Sequence, residues 1–303
     1  MSDRRLDIKI GFACNNRCRF CVQGDKRYHA EPPSTGTVRA ELEAGRADAD
    51  GVVFTGGEPT LRGDLLELVT HARSLGYRTI QIQSNGRMFA SRRTCEQLID
   101  AGATEFSPAL HGPTAALHDW LTRAPGSFGQ TTRGIRHLKR LGQPVLTNSV
   151  VVRANVRNLP ALARLLVSLG VDQFQFAYVH PVGTAGEHVT AVVPRMEIAA
   201  PYLIQGLKIG LDAGASVCTE AVPYCILPGY EGCVVEARIP RTKVVDAGVT
   251  VEDYGAYRLH EGKRKGPDCP DCRYFQVCEG PWREYPDHYG FSEFRPVPAE
   301  DAG

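Results

Sequence analysis

The stretch Gly11-Phe12-Ala13-Cys14-Asn15-Asn16-Arg17-Cys18-Arg19-Phe20-Cys21 decides how the rest of the chain is read. Three cysteines spaced C-x3-C-x2-C follow an apolar run, residues 6–12, that reads as a strand. Three thiolates so close together can grip one compact inorganic centre. Cysteine thiolates are the usual ligands of iron–sulfur clusters, which normally take four. No fourth cysteine lies nearby, so one iron keeps an open position for a substrate or cofactor. The same logic separates open catalytic metal sites from closed structural ones. A structural zinc loop missing a ligand, or surplus cysteines, are the bland readings of the same spacing.

Outward from this loop the chain alternates strands and helices. Residues 37–47 read as a helix, and Val52, Val53 and Phe54 make a short strand ending in Thr55-Gly56-Gly57-Glu58-Pro59-Thr60. A glycine pair there lets backbone approach a ligand closely, and the proline fixes the turn. Alone, such a turn is ordinary strand-to-helix punctuation. Leu65, Leu66, Val69, Ala72 and Leu75 recur at helical spacing before the stop at Gly76. Residues 79–83 form a strand ending in Ser84-Asn85-Gly86, and after a helix at 92–101 the strand 105–110 ends in His111-Gly112. Ser127 and Gln130 can form a capping box. The strand 145–152 carries Asn148 and ends near Arg153, and the strand 173–179 closes the series at His180-Pro181. Six strands alternating with helices imply a parallel sheet with helices outside. In barrels of this kind, chemistry sits at the carboxyl ends of the strands.

The loop, with Phe20 before its third cysteine, resembles the C-x3-C-x-(aromatic)-C signature of radical S-adenosylmethionine (SAM) enzymes, and Gly56-Gly57-Glu58-Pro59 resembles their GGEP motif. The resemblance implies a [4Fe–4S] cluster on Cys14, Cys18 and Cys21 whose free iron is chelated by the amine and carboxylate of SAM. Backbone groups of the GGEP turn and Glu58 would receive the amine. One electron, from a donor such as flavodoxin or ferredoxin, would cleave SAM to methionine and a 5′-deoxyadenosyl radical that takes a hydrogen atom from the substrate. The implied fold is α/β, a partial (β/α)6 TIM-like barrel over residues 1–183. Ser84, Asn85 and Asn148 become candidate SAM contacts. His111, Arg153 and His180 become candidate substrate contacts, histidine being the usual proton-transfer residue. Each could equally be a hydrogen-bonded strand-end residue.

Beyond His180 the pattern changes. A helix at 195–213 leads into a region rich in glycine, proline and cysteine without clear periodicity. Cys269-Pro270-Asp271-Cys272 with Cys278 is compact enough for one metal centre, with a further ligand arriving from a distance; zinc is a rival occupant. Residues 184–303 resemble the SPASM/twitch extensions of the family, a small irregular cysteine-rich domain holding auxiliary clusters. The expected further cysteine is absent, Glu279-Gly280-Pro281-Trp282 standing in its place, which points to one second [4Fe–4S] cluster rather than two. Cys225 is the expected fourth ligand, with Cys218 and Cys233 as rivals. If Cys225 is the ligand, either rival could be a free thiol that returns a hydrogen atom to a substrate radical. Cys95 falls in a helix pattern and reads as a small buried hydrophobe.

The chain has 303 residues, 35 basic and 34 acidic, net charge +1. It suits one large α/β domain with an appendage and predicts neither a nucleic-acid nor a membrane partner. Ten cysteines without an export signal argue for metal or redox chemistry in the cytoplasm rather than disulfides. Barrel and extension fill the sequence, leaving no leader-peptide-binding domain. The expected substrate is therefore a polar small molecule, sugar-derived or another natural-product intermediate, undergoing oxidation or epimerisation. The alternatives are a peptide maturase cross-linking side chains of a short peptide and, from another class, an iron–sulfur scaffold or redox sensor. Molybdopterin-precursor synthesis would call for an arginine-glycine tail that is not seen.

Overall fold

The computed structural model describes residues 4–299; the outermost residues of the two expected domains, 1–3 and 300–303, lie outside them. All six expected strands form: β1 Arg4–Lys9, β2 Gly51–Thr55, β3 Thr79–Ser84, β4 Glu105–Pro108, β5 Leu146–Val151 and β6 Gln173–Tyr178. Neighbours in the series β4-β3-β2-β1 pair in parallel, as do β5 and β6. Isolated parallel bridges, Phe106 with Val145 and Ala109 with Asn148, join β4 to β5. The strands form one arc with helices outside, a partial barrel.

Residues 214–251 carry no legible periodicity, yet they return to this sheet at both edges. β7, Ser216–Glu220, pairs in parallel with β6, and β8, Arg241–Asp246, pairs in parallel with β1. β9, Val249–Val251, runs antiparallel to β8 across a tight turn at Ala247 and Gly248, both at positive φ. Five- and six-residue strands paired with partners far away in sequence leave only a weak local signal.

Side-chain alternation divides the sheet into two faces. Leu6, Ile8, Val52, Phe54, Ile80, Ile82, Phe174 and Phe176 are buried and belong to one continuous apolar core with the helices. Its helical side includes Leu42, Leu68, Val69, Leu162, Leu166, Leu203 and Leu207. The other face carries Asp7, Lys9, Gln81, Gln175 and Glu220, which point into the barrel. Strands covered on both sides are normally apolar throughout. Their polar alternation here marks an interior built for something other than packing. Among the described residues no helix is long and apolar enough to cross a membrane.

Candidate functional site

β1 runs straight into the three-cysteine loop, and the glycine pair after β2 docks on that loop through backbone alone. Gly57 N donates to Gly11 O at 2.8 Å, and Glu58 N donates to Ala13 O at 2.8 Å. Gly56 sits at φ +131°, and a Cβ there would lie 2.2 Å from Gly11 O. A Cβ at Gly57 would lie 2.3 Å from Phe12 O. Glycine is thus required at both positions by the approach of two backbones.

The buried Glu58 carboxylate accepts from Ser84 Oγ at 2.8 Å, from Asn85 N at 2.6 Å, and from both the backbone and the hydroxyl of Thr60. Burial raises its pKa, against hydrogen bonds that pull it back. Glu58 and Ser84, expected beside SAM, also have a structural task. Both Glu58 oxygens are engaged, and Ser84 Oγ also accepts from Gly86 N at 2.9 Å, so these two side chains lock the turn to β3. Asn85 passes that order to the loop, donating to Asn15 Oδ1 at 2.6 Å and toward Cys14 Sγ at 3.8 Å. Arg87 bonds Asn15 O and Asn16 Oδ1 and is itself held by Gln130 Oε1 at 2.6 Å. Asn15 and Arg87 escaped the sequence reading, and Gln130, expected to cap its helix with Ser127, holds Arg87 instead, the helix Ser127–Arg140 starting at Gly126 with no side-chain cap. Their only signal is position, beside a motif or on a helix facing it.

The far side of the loop hangs on the helix Ala115–Thr122: Arg17 N donates to Thr122 O at 2.8 Å, and Arg19 N to Leu121 O at 3.0 Å. Phe20 is buried edge-on against the His111 ring, centroids 4.8 Å apart. His111, expected as a substrate contact, also props the loop. Its Nδ1 accepts from Val150 N at 3.2 Å, and burial lowers its pKa to about 3, keeping the ring neutral. His180 stacks on Trp282 at 3.9 Å and bonds Glu284 at 3.1 Å. Arg153 donates to Val193 O at 3.2 Å and Tyr289 OH at 3.3 Å. These two clasp the barrel to the C-terminal chain. The sequence could not separate such roles, because a polar residue at a strand end reads alike in either.

Burial pushes the thiols of Cys14 and Cys18 up, and the neighbouring cysteines add to the shift. Thiols raised in this way become thiolates only beside strong positive charge, which a coordinated iron supplies. Asn16 N, 3.4 Å from Cys14 Sγ, provides a donor to the sulfur. The donor set and the glycine cradle fit a cluster with one open iron.

A second thiol group lies in the C-terminal chain. Cys225, Cys269, Cys272 and Cys278 line one cavity with Pro223, Tyr224 and Phe275. Three sulfurs accept backbone N–H bonds: Cys269 from Gly266 at 3.2 Å, Cys272 from Val297 at 3.4 Å and Cys278 from Gly280 at 3.4 Å. Burial and then Cys278, Cys272 and Cys269 push the Cys225 thiol up to about 12. Among the described residues no three His, Cys, Asp or Glu side chains converge on a single metal ion. These four thiols surround a space instead. Cys218 and Cys233 lie outside it. Cys218 sits on the inner face of β7 between Gln175 Oε1 at 3.5 Å and Gln173 Nε2 at 3.8 Å. Cys233 lines another cavity with Ser216, Val217 and Arg238 at the start of β7.

The barrel interior carries paired polar groups: Gln81 with Glu105 at 3.0 Å, Gln175 with Glu220 at 2.6 Å and Lys9 with Asp246 at 2.6 Å. Burial lifts the Asp7 carboxyl to about 6. The π-helical turn Arg258–Gly262 brings in Arg258, 2% exposed and gripped by Glu279 at 2.9 and 3.1 Å. Lys263 joins the same network through Glu236 at 2.8 Å and Glu279 at 2.9 Å. Asp7 Oδ1, Asn148 Oδ1 and Arg258 Nη1 are buried without a hydrogen-bond partner among the described residues. Buried polar atoms are rarely left so, and unpaired ones of both signs suit a polar ligand.

The Radical SAM superfamily model matches residues 8–166. An AdoMet-dependent heme synthase of Oleidesulfovibrio alaskensis is 30% identical over 197 residues, covering 64% of this chain and 50% of that protein. A PqqA peptide cyclase of Rhodopseudomonas palustris is 29% identical over 191 residues, covering 62% and 50%. The chain thus spans about half the length of these curated relatives. Among solved structures, Streptococcus suis SuiB bound to S-adenosylmethionine superposes with a TM-score of 0.70 at 14% identity, over 97% of this chain and 76% of that one. At that identity the likeness shows the fold.

Proposed function

This chain belongs to the radical SAM superfamily, and we propose that it oxidises a polar substrate by removing a hydrogen atom from an unactivated C–H bond. Bound together, the [4Fe–4S] cluster and SAM supply the hydrogen-atom acceptor, one electron being needed to cleave SAM. Cys14, Cys18 and Cys21 hold that cluster. The turn Gly56-Gly57-Glu58-Pro59 shapes the backbone cradle for SAM, with Glu58, Ser84 and Asn85 holding the cradle in place and Asn148 offering a free acceptor. Buried Phe20 and neutral His111 keep water from the back of the loop.

The observation that carries the oxidative reading is the cysteine quartet around one cavity. Four ligands close a cluster, and a closed cluster suits electron transfer rather than substrate binding. Residues 184–303 then act as a SPASM/twitch-like auxiliary-cluster domain beside a barrel of residues 1–183, lending β7 and β8 to its sheet, in a cytoplasmic enzyme. Cys218, on the inner face, is the thiol placed for the epimerase variant of the reaction.

The polar interior favours a polar small molecule. A peptide substrate is the second reading. It draws on the PqqA peptide cyclase and on SuiB bound to its precursor peptide SuiA, which superposes over 91% of this chain at 14% identity with a TM-score of 0.68. The deciding experiment is iron and sulfide content with Mössbauer spectra, alongside 5′-deoxyadenosine release under dithionite. About eight irons per chain, falling to about four in a Cys14, Cys18, Cys21 triple alanine variant, is the expected result. About four falling to none would remove the second cluster, and no 5′-deoxyadenosine would leave a scaffold.

A further inference from the structure

The reductive chemistry proposed above needs an electron from outside the chain, and the outer flank of the three-cysteine loop has the make-up of an entry port. Arg17 and Arg19 bracket Cys18, and their backbone bonds to Thr122 and Leu121 pin that flank to the end of the helix Ala115–Thr122. The same helix end carries Trp120, 51% exposed, and Arg123. Arg19 Nε donates to Trp120 O at 3.0 Å, and its guanidinium lies 4.1 Å above the Trp120 ring, which holds both side chains flat against the surface.

Arg17 and Arg123 are exposed, with no side-chain partner among the described residues. The acid on this helix, Asp119, turns inward, accepting from Gly126 N at 2.7 Å, Phe128 N at 2.7 Å and Ser127 Oγ at 3.1 Å. Asp25 is the remaining acid of the loop segment, and Lys26, which follows it, is neutralised by Asp246 at 2.9 Å, while Arg27 turns to Gly24 O and Asn16 O. In a chain whose net charge is only +1, this is a local excess of positive charge around an exposed tryptophan. Arginine and tryptophan are the side chains enriched at binding hot spots. A small rim-charged patch matches the brief, modest-area encounters of electron-transfer partners, which charge steers into register.

We propose that Arg17, Arg19, Trp120 and Arg123 form the docking face for a small acidic one-electron carrier protein, placing its redox group against the Cys18 side of the cluster site. In the transfer the carrier loses one electron and the cluster site gains it; no bond or proton moves. This assignment rests on the radical SAM reading.

The test uses the full chain and flavodoxin as the probe. Binding of flavodoxin is measured over a salt series for wild type, Arg17→Glu/Arg123→Glu and the single variant Arg123→Glu, which lies outside the cysteine loop. We expect wild-type affinity to fall with salt, and the double variant to bind roughly 10-fold more weakly or worse at low salt. Arg123→Glu should show a smaller loss in the same direction. Release of 5′-deoxyadenosine driven by reduced flavodoxin should fall in step, while in Arg123→Glu release driven by dithionite stays at the wild-type rate. Unchanged flavodoxin binding in both variants overturns the docking face. Absence of dithionite-driven release in wild type counts against the radical SAM reading instead, and binding still decides the patch.

Discussion

The two cysteine groups offer the same thiol donors but are built in opposite ways. The first is contiguous in sequence, three thiols in one loop, and its order comes from outside: the glycine pair, Asn85, Arg87 and the end of the helix Ala115–Thr122. The second is assembled from Cys225 and a later run, and its order comes from inside, from backbone N–H groups of Gly266, Gly280 and Val297 aimed at the sulfurs. A loop supported on its flanks can leave one coordination position open. A pocket that closes on its contents cannot. The contrast teaches that an open site needs a scaffold, whereas a closed one can be its own.

The hardest blow to this contrast is ligand removal. Cys18→Ala should abolish 5′-deoxyadenosine release and cost about four irons per chain, whereas Cys225→Ala should cost the other four and spare SAM cleavage under dithionite. Full iron content in Cys225→Ala, matching Cys218→Ala and Cys233→Ala controls, would break the second half of the comparison. Next come the backbone contacts. Gly57→Ala drives a Cβ to within 2.3 Å of Phe12 O, and Gly280→Ala, at φ +84°, drives one to 2.6 Å from Arg264 O. Each should destabilise the chain by about 2–4 kcal/mol in urea unfolding, with iron lost from the first site in Gly57→Ala and from the second in Gly280→Ala.

Glu58→Gln is milder. Its amide would face donors from Ser84, Asn85 and Thr60 with one acceptor fewer, a cost of roughly 1–3 kcal/mol. SAM binding should weaken while the iron of the second site stays. The smallest effect lies in the interior between the sites. The folded pKa of Asp7, about 6, stands above its ordinary 3.8, so the stability it gives is present in acid and lost as pH rises through 6. Unfolding curves for Asp7→Asn should lose that slope, gaining about 1–2 kcal/mol on wild type near pH 8, a figure discounted for partial exposure. An unaltered pH profile would show Asp7 already paired.

The three-cysteine loop, the glycine turn and six strands are local patterns, set by spacing and periodicity, and all are where the sequence puts them. Cys225 stands with Cys269, Cys272 and Cys278, whereas Cys218 and Cys233 do not, and only long-range folding could sort them. The strands β7 and β8 depend on partners in β6 and β1, so short runs such as Ser216–Glu220 are undecided until they dock. Asp7, Gln81 and Gln175 alternate with apolar neighbours along their strands, a pattern the strand reading passed over. Their meaning needed the barrel.

The pairing of β8 with β1 also bears on how the chain is made. β1 is finished first, yet Arg4–Ile8 find their second neighbours only at Arg241–Val245. Until those residues leave the ribosome, one edge of the nascent barrel keeps a row of unpaired amides and carbonyls, an invitation to other growing chains. The three-residue β9, turned back antiparallel on β8, then becomes the short terminal edge of the finished sheet. Truncation before residue 241 should therefore yield an aggregating product even though all six barrel strands are present.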